Sequence, residues 1–372
     1  MKRYLVLGVG RQGRAIIDGL RKLEPDALII GADRSDVVRK EAVLGADDIL
    51  QEPFVARLLG RGQEPWDCVI SALPYSLNED VGKATILAGL RWVDLGGHVQ
   101  TTDSLTSYAL TKAKAPIATD IGLAPGLLNI LTWQWIKQHR NGTPFRVSMY
   151  CGGLPVPQPN NYWDYYLTFD PNGLVNEYYN DIERLKDGRL VTTKECLQPL
   201  ESSPILSWNS QFAFEMGATS GGAPASFLSA LANAGILDAH YQTLRYPGHF
   251  VKALDRRQEI HNEHPGDPLG NHRNLVRLFA EECTAEEPFE DRVFLGATLH
   301  DGSGQITHRQ EIHATENFTA MQIATAYPTA AVAMLMAHGH LDGNKVVQYQ
   351  DIAGARFQSM INYLDILKAP TP

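Results

Sequence analysis

The chain has 372 residues, with 33 Lys and Arg against 42 Asp and Glu, a formal net charge of −9. At roughly 150 residues per domain this length predicts two domains, and 44% hydrophobic against 20% charged residues excludes a disordered chain. The acidic balance excludes the basic footprint of a nucleic-acid binder, while leaving room for a local basic pocket. The four cysteines, Cys68, Cys151, Cys196 and Cys283, form no CxxC pair, the pattern of a reducing compartment. The apolar start after Lys2 and Arg3 is cut by Arg11 and Arg14 with no small-residue cleavage site after it. The longest apolar stretch, 324–339, contains Pro328 and falls short of the ~20 residues of a membrane span. A cytoplasmic protein without nucleic-acid or membrane partners is expected.

Tyr4-Leu5-Val6-Leu7 has strand length and runs into Gly8-Val9-Gly10-Arg11-Gln12-Gly13, followed by a helical pattern with Ile16, Ile17, Leu20 and Leu23 on one side. This is G-x-G-x-x-G after a strand and opening a helix. Gly8 permits the tight turn, Gly10 clears the approach of a pyrophosphate, and Gly13 lets helix and strand pack closely. The helix start, with Arg11 and Gln12, offers free N–H groups to phosphate. The next strand, 27–32, ends in Asp33, twenty residues beyond Gly13, where a carboxylate binds the adenosine ribose and repels a 2′-phosphate. NAD is therefore favoured over NADP, although the adjacent Arg34 is a group that can embrace a 2′-phosphate.

Further strands are predicted at 67–71, 92–95 and 115–120, separated by helical segments. Such alternation implies a Rossmann-type doubly wound parallel sheet, with ligands beyond the carboxyl ends of its strands. Ser71, Leu73, Pro74, Gly96, His98 and Asp120 become candidates on that ground. After 142 the pattern turns aromatic and strand-rich. Segments 292–299 and 305–312 flank Asp301-Gly302-Ser303-Gly304 as a hairpin, predicting an α+β substrate or oligomerisation domain with a mainly antiparallel sheet and helices on one face. The expected organisation is a dinucleotide-binding domain over 1–124, completed by C-terminal helices within 320–372, and a second domain over 125–319.

The combination of Gly122-Leu123-Ala124-Pro125-Gly126, Cys151-Gly152-Gly153-Leu154-Pro155 and Thr243-Leu244-Arg245-Tyr246-Pro247-Gly248-His249, in this order after the glycine motif, resembles the saccharopine dehydrogenase-like family, most closely its lysine 6-dehydrogenase branch. The resemblance implies an NAD(P)-dependent oxidoreductase acting at the amine-bearing carbon of an amino acid such as lysine, working as a homodimer or homotetramer. Two rivals are an NADPH-dependent imine reductase forming saccharopine- or carboxynorspermidine-like products, and a non-catalytic dinucleotide sensor.

Amine oxidation requires a neutral nitrogen, hence a base tuned towards neutral pH. Asp120 is the first candidate, with an N-cap or turn residue as the alternative; His98 and His249 are the others, His249 also reading as a satisfied structural histidine. Arg245 has the planar fork that holds a substrate carboxylate, or serves an internal salt bridge. Gly153 lets backbone approach a ligand, Tyr165 with its aromatic neighbours walls a pocket or a core, and Glu177 binds a cationic amine or lies on a solvated helix face. His261, His264 and His272 cluster around Pro265-Gly266, without HExxH or a cysteine partner, so no metal is assigned.

Overall fold

The computed structural model describes residues 1–35, 45–50, 65–139 and 142–370. The chain divides into two compact units, one of Met1–Gln134 with Gln322–Ile366, the other of Trp135–Met321 with Leu367–Pro372. The first crossing falls some ten residues later than the sequence places it, inside a helix rather than before it.

The first unit is built on a six-stranded parallel sheet. Its strands are β1 (Arg3–Leu7), β2 (Leu28–Ala32), β3 (Asp48–Leu50), β4 (Cys68–Ser71), β5 (Trp92–Asp94) and β6 (Ile117–Ala118), in the order β3-β2-β1-β4-β5-β6. The order reverses between β1 and β4, the crevice where such sheets bind dinucleotides. Helix α1 (Arg11–Leu23) buries Ile16, Ile17 and Leu20 as one stripe. Helices α2 (Tyr75–Leu87) and α3 (Val99–Lys112) follow β4 and β5, and Leu105 of α3 fills the space above Gly82 of α2. Helix α4 (Leu127–Gln138) begins two residues after Pro125; that proline lies in the preceding turn, where Gly122 N donates to its carbonyl, rather than in the first helical turn.

The second unit carries an eight-stranded mixed sheet. The strands are β7 (Arg146–Pro155), β8 (Ile182–Lys186), β9 (Arg189–Thr193), β10 (Ile205–Ser207), β11 (Ala213–Ala218), β12 (Asp238–Arg245), β13 (Asp291–Asp301) and β14 (Gly304–His313). The main path runs β10-β11-β12-β7-β13-β14, antiparallel except for the parallel pair β12 and β7, with the β8–β9 hairpin attached to β12. Helices α5 (Pro171–Tyr179), α6 (Ala225–Asn233), α7 (His249–Glu263) and α8 (Pro268–Glu282) complete it. Asp170 and Asp267 start α5 and α8 by accepting from Gly173 N and Gly270 N, each before a proline that suits a first turn. The core is aromatic: Trp163, Tyr165, Tyr178, Phe214, Phe279 and Phe294 are fully buried.

Three C-terminal helices, α9 (Ala320–Ala337), α10 (Tyr349–Ile352) and α11 (Ala355–Tyr363), fall largely in the first unit. Helix α9 is long and apolar enough to cross a membrane by composition, but 83% of that window is buried in the fold. Tyr327 and Ala330 of α9 pack on Gly19 of α1, and Tyr327 donates its hydroxyl proton to Asp18.

Candidate functional site

The β1–α1 turn has the shape that a phosphate cradle requires. Gly8 sits at φ +81°, and a Cβ there would lie 2.8 Å from the Ala72 carbonyl oxygen. A Cβ on Gly13 would lie 1.9 Å from the Gly8 oxygen, so only glycine closes this turn onto the helix. A Cβ on Gly10 would meet no atom within 4 Å, and Gly10 caps α1 without any side-chain hydrogen bond. The helix thus presents its first amides and positive dipole end to open space. Arg11 is exposed there, and the buried Oε1 of Gln12 has no hydrogen-bond partner among the described residues. These features fit a pyrophosphate. Asp33 ties the turn to the end of β2: Oδ2 accepts from Val9 N at 2.9 Å and Oδ1 from Ser35 N at 2.8 Å. The carboxylate stands where a ribose-binding acid is required, with Arg34 exposed beside it.

The β4 end corrects one candidate. Ser71 is fully buried and donates its hydroxyl to Asn78 Oδ1 at 2.7 Å, so it locks β4 to α2 instead of meeting a ligand. Strand-end position alone did not reveal which way its side chain turns. Leu73 packs against Gly8, and Pro74 is the exposed N-cap of α2.

At the ends of β5 and β6 the structure brings together two carboxyl groups. Asp94, 2% exposed, accepts from the Trp92 indole Nε1 at 2.7 Å and, through Oδ1, from Gly96 N at 2.8 Å and Asp120 N at 3.1 Å. Asp120, 7% exposed, holds left-handed backbone at φ +58° and receives the Thr102 hydroxyl on Oδ1 at 2.9 Å. Gly96 is required here, because a Cβ on it would fall 2.1 Å from that Oδ1. Burial, and then the Asp94 charge, push the Asp120 carboxyl up to about 7, against the pull of the Thr102 hydrogen bond. Asp120 is not the N-cap of α4, which starts at Leu127. His98 is the N-cap of α3; its Nδ1 pairs with Thr101 Oγ1 at 3.1 Å, and its ring stacks on Tyr75 at 5.0 Å. Asp94 was missed as a sequence candidate, its signal being an acid that ends an apolar strand directly before Leu95-Gly96-Gly97.

The second unit gathers a separate polar cluster. Arg245 ends β12 and is fully buried, with Nε donating to Tyr178 Oη at 2.7 Å and Nη1 to the Leu244 carbonyl at 2.9 Å. Its guanidinium lies 4.8 Å from the Tyr165 ring centre and 5.6 Å from that of Tyr178, and Nη2 has no hydrogen-bond partner among the described residues. Glu177 adjoins this group on α5. It is half-buried rather than on a solvated face; burial pushes its carboxyl up to about 7 and the Arg245 charge pulls it down. The Cys151 thiol is also held protonated by burial here. Thr219 and Thr243 hydroxyls pair at 2.7 Å, with Tyr241 Oη 3.3 Å from Thr243.

His249 takes a different part from the acid–base role. It opens α7 rather than lying in a loop, Nδ1 is 3.0 Å from the Trp163 carbonyl, and Nε2 is 3.0 Å from Tyr178 Oη. A carbonyl only accepts, so Nδ1 carries the proton, and Nε2 accepts from the Tyr178 hydroxyl, whose oxygen in turn accepts from Arg245. Burial and the Arg245 charge lower the imidazole pKa to about 3. A neutral ring with both nitrogens engaged orients Tyr178 and has no capacity left for proton transfer. Gly153 is also reassigned, since a Cβ there would sit 2.2 Å from the Met321 methyl; the missing side chain makes room for methionine. Tyr165 is buried under Arg245 with its hydroxyl 3.3 Å from Thr168 Oγ1. Tyr178, missed in sequence because an aromatic beside an apolar stripe reads as core, is the hub of the network.

His261 lies in α7 and His264 just after it, while His272 of α8 pairs its Nε2 with Asn176 Oδ1 at 2.8 Å. Among the described residues no group of three or more His, Cys, Asp or Glu is arranged to hold a metal.

Residues 122–369 match the family model for the saccharopine dehydrogenase C-terminal domain. The chain is 26% identical over 199 residues to the mitochondrial alpha-aminoadipic semialdehyde synthase of Rattus norvegicus, a match that takes in 51% of this chain and 21% of that protein. It is 28% identical over 129 residues to the saccharopine dehydrogenase [NADP(+), L-glutamate-forming] of Saccharomyces cerevisiae, covering 34% and 29%. The matches thus span less than a third of the length of these curated relatives. In fold, it superposes on an apo saccharopine dehydrogenase (L-Glu forming) from Saccharomyces cerevisiae with a TM-score of 0.70, 18% identity and 99% of each chain covered. With the family model matching more than half of its length, the chain belongs to the saccharopine dehydrogenase family.

Proposed function

We propose that the protein is an NAD(P)-dependent oxidoreductase that oxidises the amine-bearing carbon of an amino acid, lysine or a lysine derivative. The observation that carries this reading is Asp120, a buried carboxyl at the strand ends of the dinucleotide-type sheet whose burial and neighbouring Asp94 raise it to about 7. An ammonium has no lone pair to assist loss of hydride; a carboxylate of near-neutral pKa is suited to taking its proton. The dinucleotide, when bound, supplies the hydride acceptor, and the residues that would hold it are Gly8, Gly10, Arg11, Gln12, Gly13 and Asp33. Asp33 favours NAD over NADP by its charge. In the second unit, Nη2 of Arg245, without a hydrogen-bond partner among the described residues, is suited to a substrate carboxylate and Glu177 to an amine. The relatives' printed names, with their amino-acid substrates, support the same class.

A second direction of the reaction is favoured by two observations, the NADP(+) in the name of the yeast relative and Arg34 exposed beside Asp33: reduction of an imine with NADPH. In either direction we propose a cytoplasmic protein that works as a homodimer or homotetramer, the oligomer to be checked by light scattering. The deciding experiment follows absorbance at 340 nm with NAD and NADP across a panel of lysine-type amino acids, and in reverse with the corresponding imines. Turnover with a lysine-type substrate, lost in Asp120→Asn and with KM raised at least tenfold in Arg245→Ala, is expected. Binding of dinucleotide without turnover in either direction would leave the sensor reading standing instead.

A further inference from the structure

Among the described residues, the Asp94 carboxylate accepts hydrogen bonds only from N–H groups: the Trp92 indole, the Gly96 amide and the Asp120 amide. All three are donors, and none is a cation. Such donors favour the carboxylate, against the burial that raises the group. Asp120, by contrast, has one hydroxyl donor, Thr102, on Oδ1. Its backbone is in the left-handed region, rarely adopted by residues other than glycine, and its amide is fixed in that turn by Asp94 Oδ1. The same oxygen holds Gly96, the residue whose missing side chain admits the Asp120 carboxyl. One buried oxygen thus shapes both halves of the turn.

We propose that Asp94 is the positioning residue of this site: its Oδ1 clamps the amides of Gly96 and Asp120, and so presents the Asp120 carboxyl at the strand ends beside a fixed buried charge. This rests on the reading of Asp120 as the acid–base group. The groups that face Asp120 are Asp94 from β5, Thr102 and Asp103 from α3, and Tyr349 from α10, whose hydroxyl is 3.4 Å from the Asp120 carbonyl. Thr102 favours the carboxylate, and Asp103 adds a smaller repulsion than Asp94. Both carboxyls are raised by burial, but the three N–H donors oppose this at Asp94, whereas Asp120 is opposed by one hydroxyl and raised further by the Asp94 charge, so Asp120 is the first of the two to take up a proton.

The test is a carbon-13 NMR titration of aspartate carboxyls in the full chain, with Asp120 assigned through Asp120→Asn. In the unsubstituted protein Asp120 titrates near 7 while Asp94 remains ionised at that pH; protonation of Asp94 ahead of Asp120 overturns the proposal without any further variant. Asp94→Asn alone would set an amide donor against the Trp92 indole, so the informative variant is Trp92→Phe with Asp94→Asn, controlled by Trp92→Phe. In the double variant the Asp120 carboxyl falls by about one pH unit or more, and the rising limb of kcat/KM against pH moves down with it. An Asp120 titration unchanged in the double variant also overturns it. Full activity in Asp120→Asn would remove the acid–base reading of that residue, while the carboxyl titration would still report on the clamp.

Discussion

Removing the Tyr178 hydroxyl is the most direct probe of the buried network in the second unit. In Tyr178→Phe the ring, and its packing beneath Arg245, remain. Arg245 Nε loses an acceptor at 2.7 Å, a hydrogen bond to a charged group worth about 1.5–3 kcal/mol. His249 Nε2 loses its donor at 3.0 Å inside a core that admits no replacement, a further cost of about 1–3 kcal/mol. Together these remove about 2.5–6 kcal/mol from the second unit, on the order of 10 °C in its unfolding transition at the slope expected for its size. Calorimetry or urea denaturation reads this directly. Tyr165→Phe is the control, because that hydroxyl meets only Thr168 at 3.3 Å, and a loss of about 1 kcal/mol or less is expected. The hydroxyl relay from His249 to Arg245 is refuted if Tyr178→Phe costs no more than the control.

The remaining expectations concern the first unit. Asp120 must be deprotonated to act as a base, so kcat/KM for amine oxidation rises as pH rises through about 7; Asp120→Asn lowers it by about 10²–10⁴-fold and removes that limb, as a pH–rate profile would show. Gly10→Ala leaves the fold intact, because its Cβ meets no atom, yet weakens dinucleotide binding by calorimetry at least about tenfold, each 1.4 kcal/mol of lost binding being one factor of ten. Gly13→Ala forces Gly8 away and lowers both stability and binding; equal behaviour of the two variants would contradict the cradle geometry. Asp33→Ala narrows the difference between NAD and NADP affinities, measured by fluorescence quenching, and frees the Val9 amide.

The dinucleotide half was legible because its demands are local. Three glycines, an apolar strand and an acid twenty residues on are each dictated by backbone geometry within one βαβ unit, and the alternation of strands and helices implied the parallel sheet. The hairpin over 291–313 was legible for a similar reason, its turn being spelled by Asp301 and the glycines after it. Direction and burial were not legible. Ser71 and Asp94 both stand at strand ends, and only the folded chain reveals that one faces Asn78 and the other Asp120. The role of His249 depended on Tyr178, 71 positions away, and on burial that drives its titration far below neutrality. Gly153 was ambiguous by nature, since room for a ligand and room for a methionine leave the same residue in a sequence.

Strand β12 places Tyr241, Thr243 and Arg245 on alternate positions, and its neighbours β7 and β11 hold it in fixed register through Thr243↔Cys151 and Glu215↔Arg245. Successive residues of a strand point to opposite sides of the sheet. Gaining or losing a single residue between 238 and 245 would therefore carry the guanidinium through the sheet to its far side, away from Tyr178, Tyr165 and Glu177 at once. The length of this strand is thus as much a chemical constraint as the identity of any residue in it: substitutions there can be graded, whereas an insertion is all-or-none.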